Sequence, residues 1–217
     1  MLKELRRLFG RKTSSVAAVI ATAQVPGGVV WTPRRYDTFA QETYLKNVIA
    51  YRCIEEIARS VAGVGWGLFR HQGASRIAVE VHPLLRLLER PNPYEGWPYL
   101  MLATTARLVL AGNAFLERVA PQTGPNAGAP AELYSHRPDR IAVLVNPDGR
   151  LRGYRYTVGG QSREWAVDSV TQQGDILHLR QFHPLDDWWG AAATESAARE
   201  IDTANQATEW NMRLLQN

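Results

Sequence analysis

Five histidines, one cysteine and seven tryptophans are the side chains of this 217-residue chain with most scope for chemistry. The histidines stand at positions 71, 82, 136, 178 and 183. They are too scattered for a metal site, and no C-x-x-C or H-E-x-x-H spacing accompanies them. His178 and His183 lie five apart near Asp186 and Asp187, a pattern that reads as a strand running into a loop. In HRPD (136–139) a histidine and an aspartate are close, but no G-x-S-x-G elbow supplies a nucleophile. Pro138 makes that run a turn. GVGWG (63–67) is glycine-dense, yet it follows a helix instead of opening one, so it is a helix stop and not a phosphate loop. Cys53 falls on an apolar helical stripe and reads as a small buried hydrophobe. The tryptophans lack the interleaved basic residues of a single-strand stacking platform. They suit core and interface packing, and Trp188 with Trp189, in a loop, suits an exposed subunit contact. No catalytic residue, cofactor site or metal site emerges. The reading is of a structural or assembly protein and not an enzyme.

Charge sharpens that reading. Residues 1–35 hold seven basic residues against one acidic, +6, so the remaining 182 residues sum to −2. A near-neutral body lacks the basic face that releases counterions on tight nucleic-acid binding. A lone cysteine fits a reducing compartment, and no apolar run reaches the ~20 residues of a membrane span.

The elements that would position these residues are α+β: helices packed on a mainly antiparallel sheet, ending in a long helix. Residues 1–38 read as a flexible basic arm, with a short amphipathic helix over 2–9. A helix from near Thr38 carries Leu45, Ile49, Cys53, Ile57 and Val61 as one apolar stripe, with Val48, Ile54 and Ala58 beside it. Strands are expected at 66–71 and, more weakly, 76–81. A short helix follows at 82–93, stopped by Pro91 and Pro93, then a buried helix at 97–112. Strands at 114–120, 131–136, 140–145, 151–158, 163–167 and 175–180 are separated by turn-forming runs such as NPDGR and VGGQS. From Ala191 to Asn217 the pattern is one helix, with Ala197, Ile201, Ala204, Thr208, Met212 and Leu215 on a single face. Such a face wants neighbours, and the chain is expected to be truncated in mid-helix.

Five stretches in order resemble the portal proteins of long-tailed phages and gene transfer agents: YLKNVIAYRCIEEIARSVAGVGWGLFRH (44–71), HPLLRLLERPNPYEGW (82–97), LVLAGNAFLERV (108–119), AELYSHRPDRIAVL (131–144) and DILHLRQFHPLDDWWGAAATESAAREID (175–202). Where that family usually has Gly-x-Ser-Pro, this chain has Gly190 followed by Ala191, Ala192 and Ala193. The resemblance implies a homo-oligomeric ring, typically a dodecamer, at one vertex of the capsid and thus against the major capsid protein. It implies docking of terminase during packaging, of adaptor and tail proteins afterwards, and passage of double-stranded DNA through the channel, within a virion assembled in a bacterial host. It implies a wing-like domain over 39–190 and the start of a stem-like helix over 191–217. Subunit-interface candidates are Trp188, Trp189, Ile201, Ala204, Thr208, Met212 and Leu215. The alternatives are a phage adaptor or interaction module, or a small hydrolase. Bulky polar substitutions at Ile201 and Ala204 are expected to impair ring assembly more than the wing fold.

Overall fold

The computed structural model describes residues 36–216. The expected 2–9 helix and Trp31 lie outside the described residues. Helical structure already begins at Tyr36, inside the expected arm. α1 (Tyr36–Phe39) runs straight into a π-helical stretch, Ala40–Leu45. Lys46 and Asn47 then break the helix, so the single helix expected from Thr38 is two pieces. Asn47 restarts it as the cap of α2 (Val48–Ala62), its Oδ1 accepting from Ala50 N at 2.9 Å.

The buried face of α2 corrects the sequence expectation. Ile54, Glu55, Ala58 and Ala62 face inward. Leu45 and Ile49 of the expected stripe are 77% and 70% exposed, and Ile57, Val61 and Cys53 are exposed too. The reason is geometric. A four-residue spacing advances ~40° per step around a 3.6-residue helix, so Ile49, Cys53, Ile57 and Val61 drift across roughly 120°, all on the side of α2 turned away from the core. The packed face is a second four-residue series, Ile54, Ala58 and Ala62, with Glu55 beside it.

β1 (Phe69–Gln72) and β2 (Ser75–Ala78) form an exposed antiparallel hairpin. α3 (Pro83–Glu89) is capped by the His82 ring, which accepts from Leu84 N. α4 (Trp97–Ala111) packs against α2 on one side and against strand residues on the other. Arg107 and Thr104 of α4 reach Ser135.

Two three-stranded antiparallel sheets follow. One has the order β4 (Glu132–His136), β3 (Asn113–Val119), β8 (Ile176–Arg180); the other runs β5 (Ile141–Val145), β6 (Leu151–Val158), β7 (Gln161–Ala166). Pro138–Arg140 makes the turn expected at HRPD, a short 3₁₀ helix. The apolar faces of the two sheets meet in one core of Phe115, Ile141, Tyr154, Trp165 and Ile176. At its edge the buried carboxylate of Glu117 accepts from His136 Nε2 at 2.8 Å, Arg163 at 3.0 Å and Trp165 Nε1 at 3.2 Å. Three donors from both sheets offset the cost of burying one charge. A second core joins the helices through Phe39, Ile54 and Leu110, with Ala198 packed against it.

The last helix also differs from expectation. Ala193–Ser196 forms a short α5, Ala197 leaves helical geometry, and α6 runs from Ala198 to Gln216. No described helix is long and apolar enough to cross a membrane.

The exposure of Cys53 gives a direct check. The native protein should react with a thiol reagent such as Ellman's at the rate of the unfolded chain, within about tenfold. Protection of the thiol until denaturant is added would restore the buried stripe.

Candidate assembly interface and its anchor

Among the described residues, no group of three or more His, Cys, Asp or Glu side chains could hold a metal ion. The notable geometry is at the end of α4, where three backbone carbonyls lose their helical partners. Each is recovered by a donor from elsewhere. Leu110 O accepts from Thr194 Oγ1 at 3.0 Å, Ala111 O from Asn113 Nδ2 at 2.8 Å, and Gly112 O from Gln181 N at 2.9 Å. Thr194 belongs to α5 and Gln181 follows β8, so the end of α4 ties the sheet to the approach of α6.

Asn113 is the centre of this joint and is buried. Its Oδ1 accepts from Gly190 N at 2.8 Å and from His178 Nε2 at 2.9 Å. Its Nδ2 reaches Gly190 O at 3.1 Å as well as Ala111 O. The polar capacity of one carboxamide is fully used: two bonds hold Gly190, one holds His178 of β8, and one closes the end of α4. Two glycines make the approach possible. Gly112 takes φ +68°, the left-handed cap that ends α4, and a Cβ there would lie 2.5 Å from Ala191 C and Gly190 O. A Cβ on Gly190 would strike Gly112 O. Sequence reading found Gly112 and Asn113 as a corner. It missed that Gly190 is the other half of the same joint, a contact 77 residues away.

His178 sits in an aromatic box, stacked on Phe115 at 4.2 Å between centroids, with Tyr154 and Trp189 edge-on. Burial, with the Arg180 charge adding to it, pushes its pKa down to about 4. Its bond to the Asn113 carbonyl oxygen requires a proton on Nε2, which in the neutral ring leaves Nδ1 bare.

The interface candidates separate on the structure. Trp188 and Trp189 are half-buried and not the exposed loop pair expected. Both backbone N–H groups donate to Asp186 Oδ1, and Trp189 packs on the sheet core. Arg180 lies over the Trp188 ring at 5.7 Å. Ile201 is buried inside its own chain. Ala204 and Thr208 are exposed, and the Thr208 hydroxyl turns back to Ala204 O at 2.9 Å. Met212 and Leu215 are 56% and 88% exposed. They share the expected face with Ile201, so the first half of that face packs at home and the second half is open. The expectation for Ile201 is corrected accordingly: a polar side chain there attacks the fold itself.

Sequence reading missed a second face. Trp210 and Leu214 are 63% and 55% exposed. At 100° per residue they lie roughly 150° around the helix from Met212 and Leu215. The signal was available: two large apolar residues four apart, flanked by the ion pair of Glu209 with Arg213.

With this geometry, the comparisons give the class. The phage portal protein family matches residues 49–217, and the chain belongs to that family. An uncharacterized protein of Rickettsia bellii (strain RML369-C) is 30% identical over 176 residues, 81% of this chain and 43% of that protein. A chain in the neck of an empty gene transfer agent (GTA) particle, computed with C6 symmetry, is 34% identical with a TM-score of 0.74, covering 92% of this chain and 51% of its own. A chain in the neck of the native GTA particle, computed with C12 symmetry, is 32% identical with a TM-score of 0.71, covering 88% and 48%. This chain therefore spans about half the length of the proteins it matches.

Two outcomes test the joint. Gly190→Ala should cost about 3 kcal/mol in denaturant unfolding, because the new methyl meets backbone; Gly159→Ala, at φ +58° with open space around it, should cost about 1–2 kcal/mol. His178 is neutral when folded, whereas the unfolded histidine takes up its proton near 6.5. Its contribution to stability is thus present above pH ~6.5 and lost as pH falls towards about 4. His178→Gln, which keeps a donor for Asn113 without titrating, should flatten that part of the melting-temperature profile.

Proposed function

We propose that this chain is part of a portal ring subunit, a conduit for double-stranded DNA at a capsid vertex. The observation that carries the reading is the far half of α6. Beyond Gln206 it leaves its own body, and it presents apolar residues on two opposed sides. A closed head-to-tail ring gives each subunit two neighbours and demands two different contact faces. A helix with one neighbour on each side has that requirement built into its surface.

Family membership supports the ring, and the twelvefold and sixfold symmetry of the GTA necks supports a dodecamer as its form. The charge balance agrees. Each firm phosphate contact strengthens binding and would brake sliding; outside residues 1–35 the chain has a net charge of −2. In this reading 39–190 form the wing, 191–217 begin the stem, and Ala204, Thr208, Met212 and Leu215 join Trp210 and Leu214 in facing neighbouring copies. Terminase, adaptor and tail proteins, and the major capsid protein are the partners, in a virion or virus-like particle assembled in a bacterial cytoplasm.

Charge on either apolar side of α6 should break the ring without unfolding the subunit. Trp210→Glu and, separately, Leu215→Glu should each abolish assembly in size-exclusion chromatography with light scattering. Melting temperatures should stay within about 3 °C of the parent, since both sites are exposed surface. Tyr94→Glu, at an exposed residue between α3 and α4, is the control and should assemble normally. Normal rings from both α6 variants would remove the far half of α6 from the interface.

A further inference from the structure

We propose that Asn205 and Asn47 are a positioning pair that aims the projecting half of α6. Asn205 lies on the buried side of α6, one turn after Ile201, at a place where an apolar side chain would pack. It carries a carboxamide instead. Its Nδ2 donates to Glu42 O at 2.8 Å and reaches Glu42 Oε2 at 3.4 Å, and its Oδ1 accepts from Asn47 Nδ2 at 3.1 Å. Asn47 is itself buried, and its own Oδ1 is already the cap of α2 through Ala50 N. One residue therefore uses its oxygen to start α2 and its nitrogen to hold α6.

The physical consequence is directional. Apolar packing is tolerant: a helix seated on Ala198 and Ile201 alone can roll or slide with little loss. Buried carboxamides are not tolerant, because a shift of one residue turns α6 by 100° and leaves buried donors and acceptors unpaired. A single buried asparagine fixes register in coiled coils by the same logic, at a cost in stability. Here the need for accuracy is large. From Asn205 to Gln216 the helix extends about 16 Å, so a 15° tilt about Asn205 would move its end by about 4 Å. That displacement would dismantle an interface of single side chains such as Trp210 and Leu215. The purpose assigned to the pair rests on the assembly reading above; the aim itself is a property of the isolated chain and is measured there.

Two substitutions separate aiming from folding. Asn47→Asp keeps an acceptor for Ala50 N, and aspartate caps helices as well as asparagine does. It removes the donor to Asn205 and sets a carboxylate oxygen against the Asn205 Oδ1 in its place. Asn205→Leu removes the other half of the pair and fills the site with apolar atoms. A spin label on the native Cys53, exposed on α2, and a second on Gln216→Cys report the direction of α6 by double electron–electron resonance. The parent should give one narrow distance. Both variants should shift or broaden it by more than about 3 Å, while their melting temperatures stay within about 5 °C of the parent. If Asn205→Leu fails to fold, Asn47→Asp decides alone. An unchanged distance in Asn47→Asp would overturn the proposal. So would a broadening that appears only as the fold itself melts. Failure of the complete protein to form rings, with the parent distance still narrow and the variants broadened, would count against the portal reading and leave the aiming pair standing.

Discussion

The end of α4 is the constraint on which the arrangement depends. A buried helix terminus leaves carbonyls that water cannot reach, and each unpaired one costs about 1–3 kcal/mol. Leu110, Ala111 and Gly112 satisfy theirs through α5, Asn113 and the strand-end residue Gln181. Meeting that electrostatic need places the start of the last helices against the sheet. The two glycines are consequences: only residues lacking a Cβ let the chain at 190–191 pass that close.

From this corner two systems extend. On one side, sheet packs on sheet around Phe115, with Glu117 linking the two by charge-assisted bonds. On the other, α2 and α4 form a helical layer, and the start of α6 seats on its core through Ala198 and on the Ala40–Leu45 stretch through Asn205. Both systems leave apolar surface open at their edges. For a ring subunit such surface is the means of association. The outward side of α2, from Leu45 to Val61, belongs to the same inventory of apolar surface uncovered in this chain.

Much of the architecture was legible in sequence because local chemistry and global fold agree. The strands from Asn113 to Arg180 follow alternating apolar residues and turn residues such as those in NPDG, and each was found within a residue or two. What escaped depended on contacts distant in sequence. The inward face of α2 was misread because two series repeat every four residues, and the more apolar one, Ile49, Cys53, Ile57 and Val61, is the one that faces outward. Asn47 can cap a helix, but the spacing of Leu45 and Ile49 across it concealed the break. Trp189 looked like loop surface, and only the fold of Asp186 beneath two backbone N–H groups shows that the ring turns into the sheet core. The resemblance to portal proteins, which rested on five ordered stretches, agrees with the family match.

The portal reading turns on stoichiometry. Native mass spectrometry of the complete product of the reading frame that carries these residues measures it most directly. A closed assembly at or near twelve copies is the predicted result. A stable monomer that turns over a substrate would contradict it.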